Sequence, residues 1–324
     1  MQFGYWHADN SGQCFHTITL SLLEDNGEQK LAGTHIFDAP PEGVAADWTM
    51  PQNWHAFSPQ QHETWRTLFD RQSAALDGYA CRSFLEGLDI LRNLKPGVPN
   101  FSELNGLLKP ASGWEVVAVP GWIPNTPFFE HLANKRFPAA NFVRPLEQIA
   151  YSEEPDMFHD IFGHVPMLKD PAFSNFLVAY GEAGLRAEKL GASDFLGRLW
   201  LYTVEFGLVV EDGELRAFGG GLLSSFAEAA SALTSPEPQR IWLNIERVMR
   251  TRYHFDEFQR IYFVVAGFKE LLRATEETDF ASIYRKIASD LALEPEDDYP
   301  GDLPYEGCPP FREELGLLDR RAPQ

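Results

Sequence analysis

The chain has 324 residues, enough for one large core or two modest ones, and its 44% apolar and 23% charged content is that of an ordinary globular protein. A formal charge of −20 argues against nucleic acid or an anionic membrane surface as partner, because both repel such a chain unless a basic patch is segregated, and none is evident. The start, Met1-Gln2-Phe3-Gly4-Tyr5-Trp6-His7, lacks the basic opening and apolar run of a secretory signal. The longest apolar run, 261–268, is too short to span a bilayer, so a cytoplasmic protein is expected. Cys14, Cys81 and Cys308 are odd in number and far apart, which fits reduced thiols rather than a disulfide framework or a thiolate site.

In chain order, residues 1–51 read as an N-terminal extension. His16-Thr17-Ile18-Thr19-Leu20-Ser21-Leu22 alternates as a strand, Asp25-Asn26-Gly27 signals a turn and 30–37 returns, giving a β-hairpin followed by a Pro-rich linker at Pro40-Pro41. Helical periodicity starts after Ser58, a cap with Pro59 in the first turn. Phe84, Leu88 and Leu91 mark a second helix ending near Lys95-Pro96-Gly97, and Ser102 is read as the cap of a third that stops before Pro110. Glu115-Val116-Val117-Ala118-Val119 is a core strand candidate. The loop after it, Pro120 to Phe129, combines stiffening prolines with exposed-looking aromatics on which a flat ligand could stack. Arg144 is either an ordinary surface charge or a fork for a substrate carboxylate.

The stretch Tyr151-Ser-Glu-Glu-Pro-Asp-Met-Phe-His-Asp-Ile-Phe-Gly-His-Val-Pro-Met-Leu168 concentrates two imidazoles and four carboxylates, which invites a bound metal ion. His159 and His164 are five apart. On an ideal α-helix that spacing separates side chains by roughly 140°, so both aim at one point only if the helix is distorted, and a bend at Gly163 is the expected device. Asp170-Pro171 opens the next helix, and 196–208 reads as another, carrying Glu205 between Val204 and Phe206. A carboxylate so flanked needs a cation or donors once buried, which makes Glu205 the natural third ligand.

Asp212-Gly213 signals a hairpin, and Gly219-Gly220-Gly221 opens into a helix with a spacing that matches neither the dinucleotide fingerprint nor the P-loop, so close backbone approach to a small ligand is expected. Thr234-Ser235-Pro236-Glu237 has capping-box spacing ahead of Ile241, Ile245, Val248 and Met249 and predicts a helix there. Residues 258–265 read as a buried strand, and 268–274 and 280–291 as helices. The acidic, Pro-rich tail 292–324 is given no fold of its own. The expectation is a mainly α fold with small β elements, in which 52–291 form the catalytic unit.

Two histidines and a carboxylate with open positions suit non-haem Fe(II) acting on dioxygen, and the same set suits catalytic zinc. The neighbouring residues favour iron, because Glu154-Pro155-Asp156-Met157-Phe158-His159-Asp160-Ile161-Phe162-Gly163-His164-Val165-Pro166 resembles the iron-binding block of the pterin-dependent aromatic amino acid hydroxylases. Thr203-Val204-Glu205-Phe206-Gly207-Leu208 and Gly221-Leu222-Leu223-Ser224-Ser225-Phe226 resemble the two blocks that follow, in the same order and at similar spacing. The likeness runs from about Gln52 to Leu291, and His131-Leu132-Ala133-Asn134 resembles the single-domain bacterial members.

The resemblance implies that His159, His164 and Glu205 hold Fe(II), that Phe128 stacks on a tetrahydropterin bound by the backbone around Gly121 and Ile123, and that Asp160 faces the pterin. It implies that Arg144 grips the substrate carboxylate, with Ser152 and Ser224 helping to fix the amino acid and His159. The implied partners are an aromatic amino acid and O2, and the implied reaction is ring hydroxylation, phenylalanine to tyrosine first. A monomer or small oligomer is expected. Leu201 stands where the family usually has tryptophan, which would enlarge the pocket toward tryptophan or another bulky ring. On the α-helical pitch Trp200, about 100° away, does not replace it. Zinc hydrolysis is disfavoured by the lack of a His-Glu-x-x-His pattern, and a non-catalytic binding protein by the retention of all three ligands and Arg144.

Overall fold

The structure is a computed structural model and describes residues 39–146, 155–254 and 257–307. The expected N-terminal hairpin and Ser152 lie outside the described residues. Within them the mainly α fold with small β elements is borne out. Helix α1 (Pro59–Ala75) begins as expected. The Ser58 hydroxyl accepts from the Gln61 N–H at 3.2 Å while the Gln61 side chain accepts from the Ser58 N–H at 2.9 Å, so two otherwise orphaned donors are satisfied together. The second expected helix divides at Leu88 into α2 (Arg82–Gly87) and α3 (Asp89–Arg92), yet Phe84, Leu88 and Leu91 all stay buried. Helix α4 (Phe101–Ser112) is capped by Asn100 rather than Ser102. The Asn100 side chain accepts from the N–H groups of Ser102 and Glu103, and the helix runs past Pro110, which falls in the last turn before Gly113 closes it.

Strand β1 (Glu115–Val119) pairs in parallel with β2 (Arg136–Ala140), a strand that the sequence reading missed. Pro138 hides the signal, but each strand of a two-stranded sheet keeps a free edge where a missing N–H breaks no ladder. Between them α5 (Asn125–Ala133) packs on α6 (Pro171–Lys189), which Asp170 caps. Gly181 and Gly184 make that packing possible: a Cβ on Gly184 would lie 2.1 Å from the Phe129 ring.

Helix α7 (Ser193–Trp200) gives way to a π-helical turn, Leu201–Glu205, earlier than the expected end at 208. Strands β3 (Leu208–Glu211) and β4 (Glu214–Ala217) form the expected hairpin, with Asp212 and Gly213 both at positive φ, 52° and 83°. Helices α8 (Gly220–Ser224) and α9 (Phe226–Thr234) follow.

The capping box expected at Thr234 does not form. Arg240 instead donates to the carbonyls of Ser231, Ala232 and Ser235, filling the acceptors at the end of α9 and turning the chain into β5 (Gln239–Trp242). Helix α10 (Ile245–Arg250) starts later, under Asn244. Strand β6 (Ile261–Val265), fully buried, joins β5 and β3 in parallel to complete the sheet order β4-β3-β6-β5. Helices α11 (Phe268–Glu277) and α12 (Phe280–Ile287) close the helical layer. The acidic stretch beyond them does not stand apart: Leu303 accepts from the Trp242 N–H, Tyr305 donates to Arg240, and the buried Arg247 donates to Pro295 and Asp297. Among the described residues no helix is long and apolar enough to cross a membrane.

Candidate metal centre

All three expected ligands lie in π-helical turns. His159–His164 is one such turn with a histidine at each end, and Leu201–Glu205 ends on the glutamate. The i→i+5 winding of a π-turn brings residues five apart over one another. The expected bend at Gly163 is thus corrected, because the change of pitch over the whole segment aligns the histidines. Their Nε2 atoms are 3.2 Å apart, and Glu205 Oε2 and Oε1 lie 3.4 Å from His159 Nε2 and His164 Nε2 respectively. Ligand atoms about 2 Å from one ion are separated by roughly 3 Å, so the three donors fit a single cation.

The turn is held from behind by aromatic rings. Phe158 and Phe162 stack with centroids 4.8 Å apart, Trp65 meets Phe158 edge-on, and Phe69 and Phe84 meet Phe162. Gly163 serves a different purpose from a bend: a Cβ there would lie 2.7 Å from the Gly220 carbonyl oxygen, and one on Gly220 would lie 2.2 Å from the His164 ring. The glycine-rich opening of α8 therefore permits close contact with the His159–His164 turn. Further along α8, the Gln72 side chain donates to the Leu223 carbonyl, and Ser224 Oγ sits 2.9 Å from His159 Nδ1. With Nδ1–H donating to that hydroxyl, Nε2 keeps its lone pair for an ion. Phe137 leans on His164 at 5.3 Å.

Electrostatics reinforce the cluster. Burial alone disfavours the charged form of each group, but Glu205 beside His159 raises the imidazole above its usual range, and the two histidines hold Glu205 well below the usual carboxylate range. The carboxylate is thus ionised in place, as a ligand must be, while the proton that Glu205 favours on His159 is the one an ion displaces on binding.

Arg144 is buried and already engaged. Its Nε and Nη2 donate to Asp156 at 3.0 and 2.6 Å, its backbone N–H donates to the same carboxylate at 2.8 Å, and Asp156 also accepts from the His159 N–H at 3.1 Å. Asp156 therefore ties Arg144 to the first turn of the ligand helix, and sequence reasoning missed it. The available signal was an acid three residues before His159, the spacing of an N-cap. Asp160 is buried and accepts from Ala140 N–H at the end of β2 at 2.7 Å; burial pushes its carboxyl up.

Phe128 and Ile123 are each 3% exposed, so the aromatic expected to look outward is packed instead, edge-on against Trp200 at 5.1 Å. Gly121 is buried with φ 145°, in the loop that leaves β1. Leu201 is buried. Trp200, given no part by the α-helical reading, donates its indole N–H to Glu205 Oε1 at 2.7 Å.

The family model for biopterin-dependent aromatic amino acid hydroxylases matches residues 49–289. Among curated proteins the chain is 46% identical over 272 residues to the phenylalanine-4-hydroxylase of Caulobacter vibrioides, covering 84% of this chain and 92% of that one. It is 50% identical over 243 residues to the phenylalanine-4-hydroxylase of Ralstonia nicotianae, covering 75% and 77%. Among solved structures, Chromobacterium violaceum phenylalanine hydroxylase bound to cobalt superposes with a TM-score of 0.78 at 44% identity, covering 82% of this chain and 95% of that one. The same enzyme with bound oxidized Fe(III) gives 0.77 at 46%, covering 80% and 94%. The chain therefore belongs to the biopterin-dependent aromatic amino acid hydroxylases.

Proposed function

We propose that this chain hydroxylates phenylalanine to tyrosine with Fe(II), a tetrahydropterin and O2, and that His159, His164 and Glu205 hold the iron. The observation that carries the reading is three ligand atoms converging from two π-turns, within 4.8 Å of one another, in a chain of this family. Iron held by His159, His164 and Glu205 together with a reduced pterin would supply the dioxygen chemistry, one oxygen atom going to the aromatic ring and the other to the pterin, which is the two-electron reductant. The protein's part is placement. Asp156 grips one edge of the Arg144 guanidinium, and the fork so fixed takes the substrate carboxylate. Ser224 holds the His159 ring, and Phe128, Gly121 and Ile123 with Asp160 form the pterin side of the site. Ser152 and Leu201 complete the amino acid side.

The catalytic unit is residues 52–291, with 1–51 an extension and 292–324 a tail whose described part, up to 307, packs against the unit. A cytoplasmic enzyme, monomeric or a small oligomer, suits the strongly acidic composition. Anaerobic Fe(II) loading followed by turnover of phenylalanine and of tryptophan with a tetrahydropterin, with product identification, tests the assignment. Tyrosine from phenylalanine as the dominant product is expected. Preferred turnover of tryptophan would move the substrate to the reading suggested by Leu201, and oxygen uptake without a hydroxylated product would overturn both.

A further inference from the structure

We propose that Trp200 is the positioning residue of the metal centre, its indole N–H orienting the Glu205 carboxylate for the ion. This rests on the reading that the triad holds the metal. Trp200 is 2% exposed, and its N–H meets Glu205 Oε1 at 2.7 Å, the length of a charge-assisted bond. The donor and acceptor are the residues flanking and ending one π-turn, and the same i→i+5 winding that aligns the two histidines lifts Glu205 over Trp200. Regular α-helix between them would leave the two side chains roughly 140° apart and the indole without its acceptor.

The indole is not free to turn. It is packed edge-on to Phe128 at 5.1 Å, lies 5.3 Å from the Tyr180 ring and leans on the His164 ring at 6.1 Å. Packing on three sides aims the N–H, as a supporting residue must be aimed if the ligand it holds is to be preorganised. The other groups near the Glu205 oxygens, among the described residues, are the two imidazole Nε2 atoms at 3.4 Å. Those atoms are ligands themselves, so once they face an ion the indole remains as the donor that fixes the carboxylate. Because Phe128 touches the same ring, one buried side chain joins the metal ligands to the pterin side of the site.

Trp200→Phe keeps a buried ring and removes the donor. The test uses the full chain stripped of metal and titrated with Co(II) against a competing chelator, without pterin or amino acid, recording the visible ligand-field bands. Trp200→Phe is expected to bind Co(II) at least 10-fold more weakly, with shifted bands. Affinity within twofold of the parent chain and unchanged bands would overturn the proposal. Glu205→Ala separates the two levels: if it too binds like the parent, the triad itself is wrong, whereas loss in Glu205→Ala with no change in Trp200→Phe removes only the role of Trp200. Should Trp200→Phe fail to fold, the parent chain labelled with 15N-tryptophan and titrated with Zn(II) decides. One indole N–H resonance that shifts in step with metal loading, and is displaced in Glu205→Gln, is expected; indole resonances indifferent to both would refute the bond.

Discussion

Asp156→Asn is the substitution that most directly probes how Arg144 is held. The carboxylate accepts four bonds, from Arg144 N–H, Nε and Nη2 and from the His159 N–H, at 2.6 to 3.1 Å, and both partners are buried, at 0% and 8% exposure. Asparagine keeps the shape, yet it offers one acceptor oxygen and turns an NH2 group toward a guanidinium that cannot give up its charge. Removing one partner of a buried pair costs about 3–5 kcal/mol, because the other charge is left desolvated and unpaired. For a chain of this size that lowers the thermal midpoint on the order of 10 °C. By contrast, Lys95→Gln breaks a pair whose side chains are 78% and 47% exposed, and the expected change is about 0.5 kcal/mol or less.

Kinetics discriminate further. If Asp156 sets the Arg144 fork, Asp156→Asn raises KM for phenylalanine about 10-fold or more, in line with about 1.4 kcal/mol or more of lost carboxylate binding. Denaturant unfolding and steady-state turnover of the iron-loaded chain measure both. Stability within about 1 kcal/mol of the parent together with an unchanged KM would refute the reasoning.

Two further substitutions test a buried carboxyl of the core and the packing behind His164. Glu228, on α9, is 8% exposed and accepts from the Gln259 N–H and the Tyr262 hydroxyl, yet burial pushes its carboxyl up to about 7 from an ordinary 4.5. A raised carboxyl favours the folded state fully below the ordinary value, and the advantage is lost as pH climbs through the folded one. The contribution of this carboxyl, up to about 3 kcal/mol, is thus lost between pH 4.5 and 8, so Glu228→Gln, which keeps the acceptor, should lose about 2 kcal/mol less than the parent between pH 5 and 8, read by denaturant unfolding. Gly220→Ala would place a Cβ 2.2 Å from the His164 ring, so it should displace a ligand, weaken Co(II) binding by 10-fold or more and cost about 1–3 kcal/mol by overpacking; unaltered affinity would show that α8 yields without disturbing His164.

The parts of the fold that local rules govern were legible in the sequence. Ser58-Pro59 and Asp170-Pro171 open helices because their caps need nothing from elsewhere in the chain. Strand β2 was not legible, since Pro138 is tolerated only by virtue of a sheet with two strands, and neither was β5, since the Thr234 box yields to an Arg240 that reaches back to α9. Those are tertiary facts that no window of residues contains.

The site divides along the same line. Residue types and the three motif blocks point to His159, His164 and Glu205, whereas the angles between these side chains depend on the helical pitch. On an α-helical pitch the histidines point apart, Gly163 has to bend the chain, and Trp200 lies away from the chemistry. In the structure the pitch itself changes in both ligand segments, and that single change corrects all three readings. Gly163 is released to admit Gly220, His164 swings to His159, and Trp200 comes under Glu205. A π-turn gives up regular helical bonding, so it persists where surrounding packing over-determines it, and here rings behind Phe158 and Phe162 do so. Leu201 opens the second π-turn, so the 100° step that sets it apart from Trp200 on an α-helix does not hold in this segment.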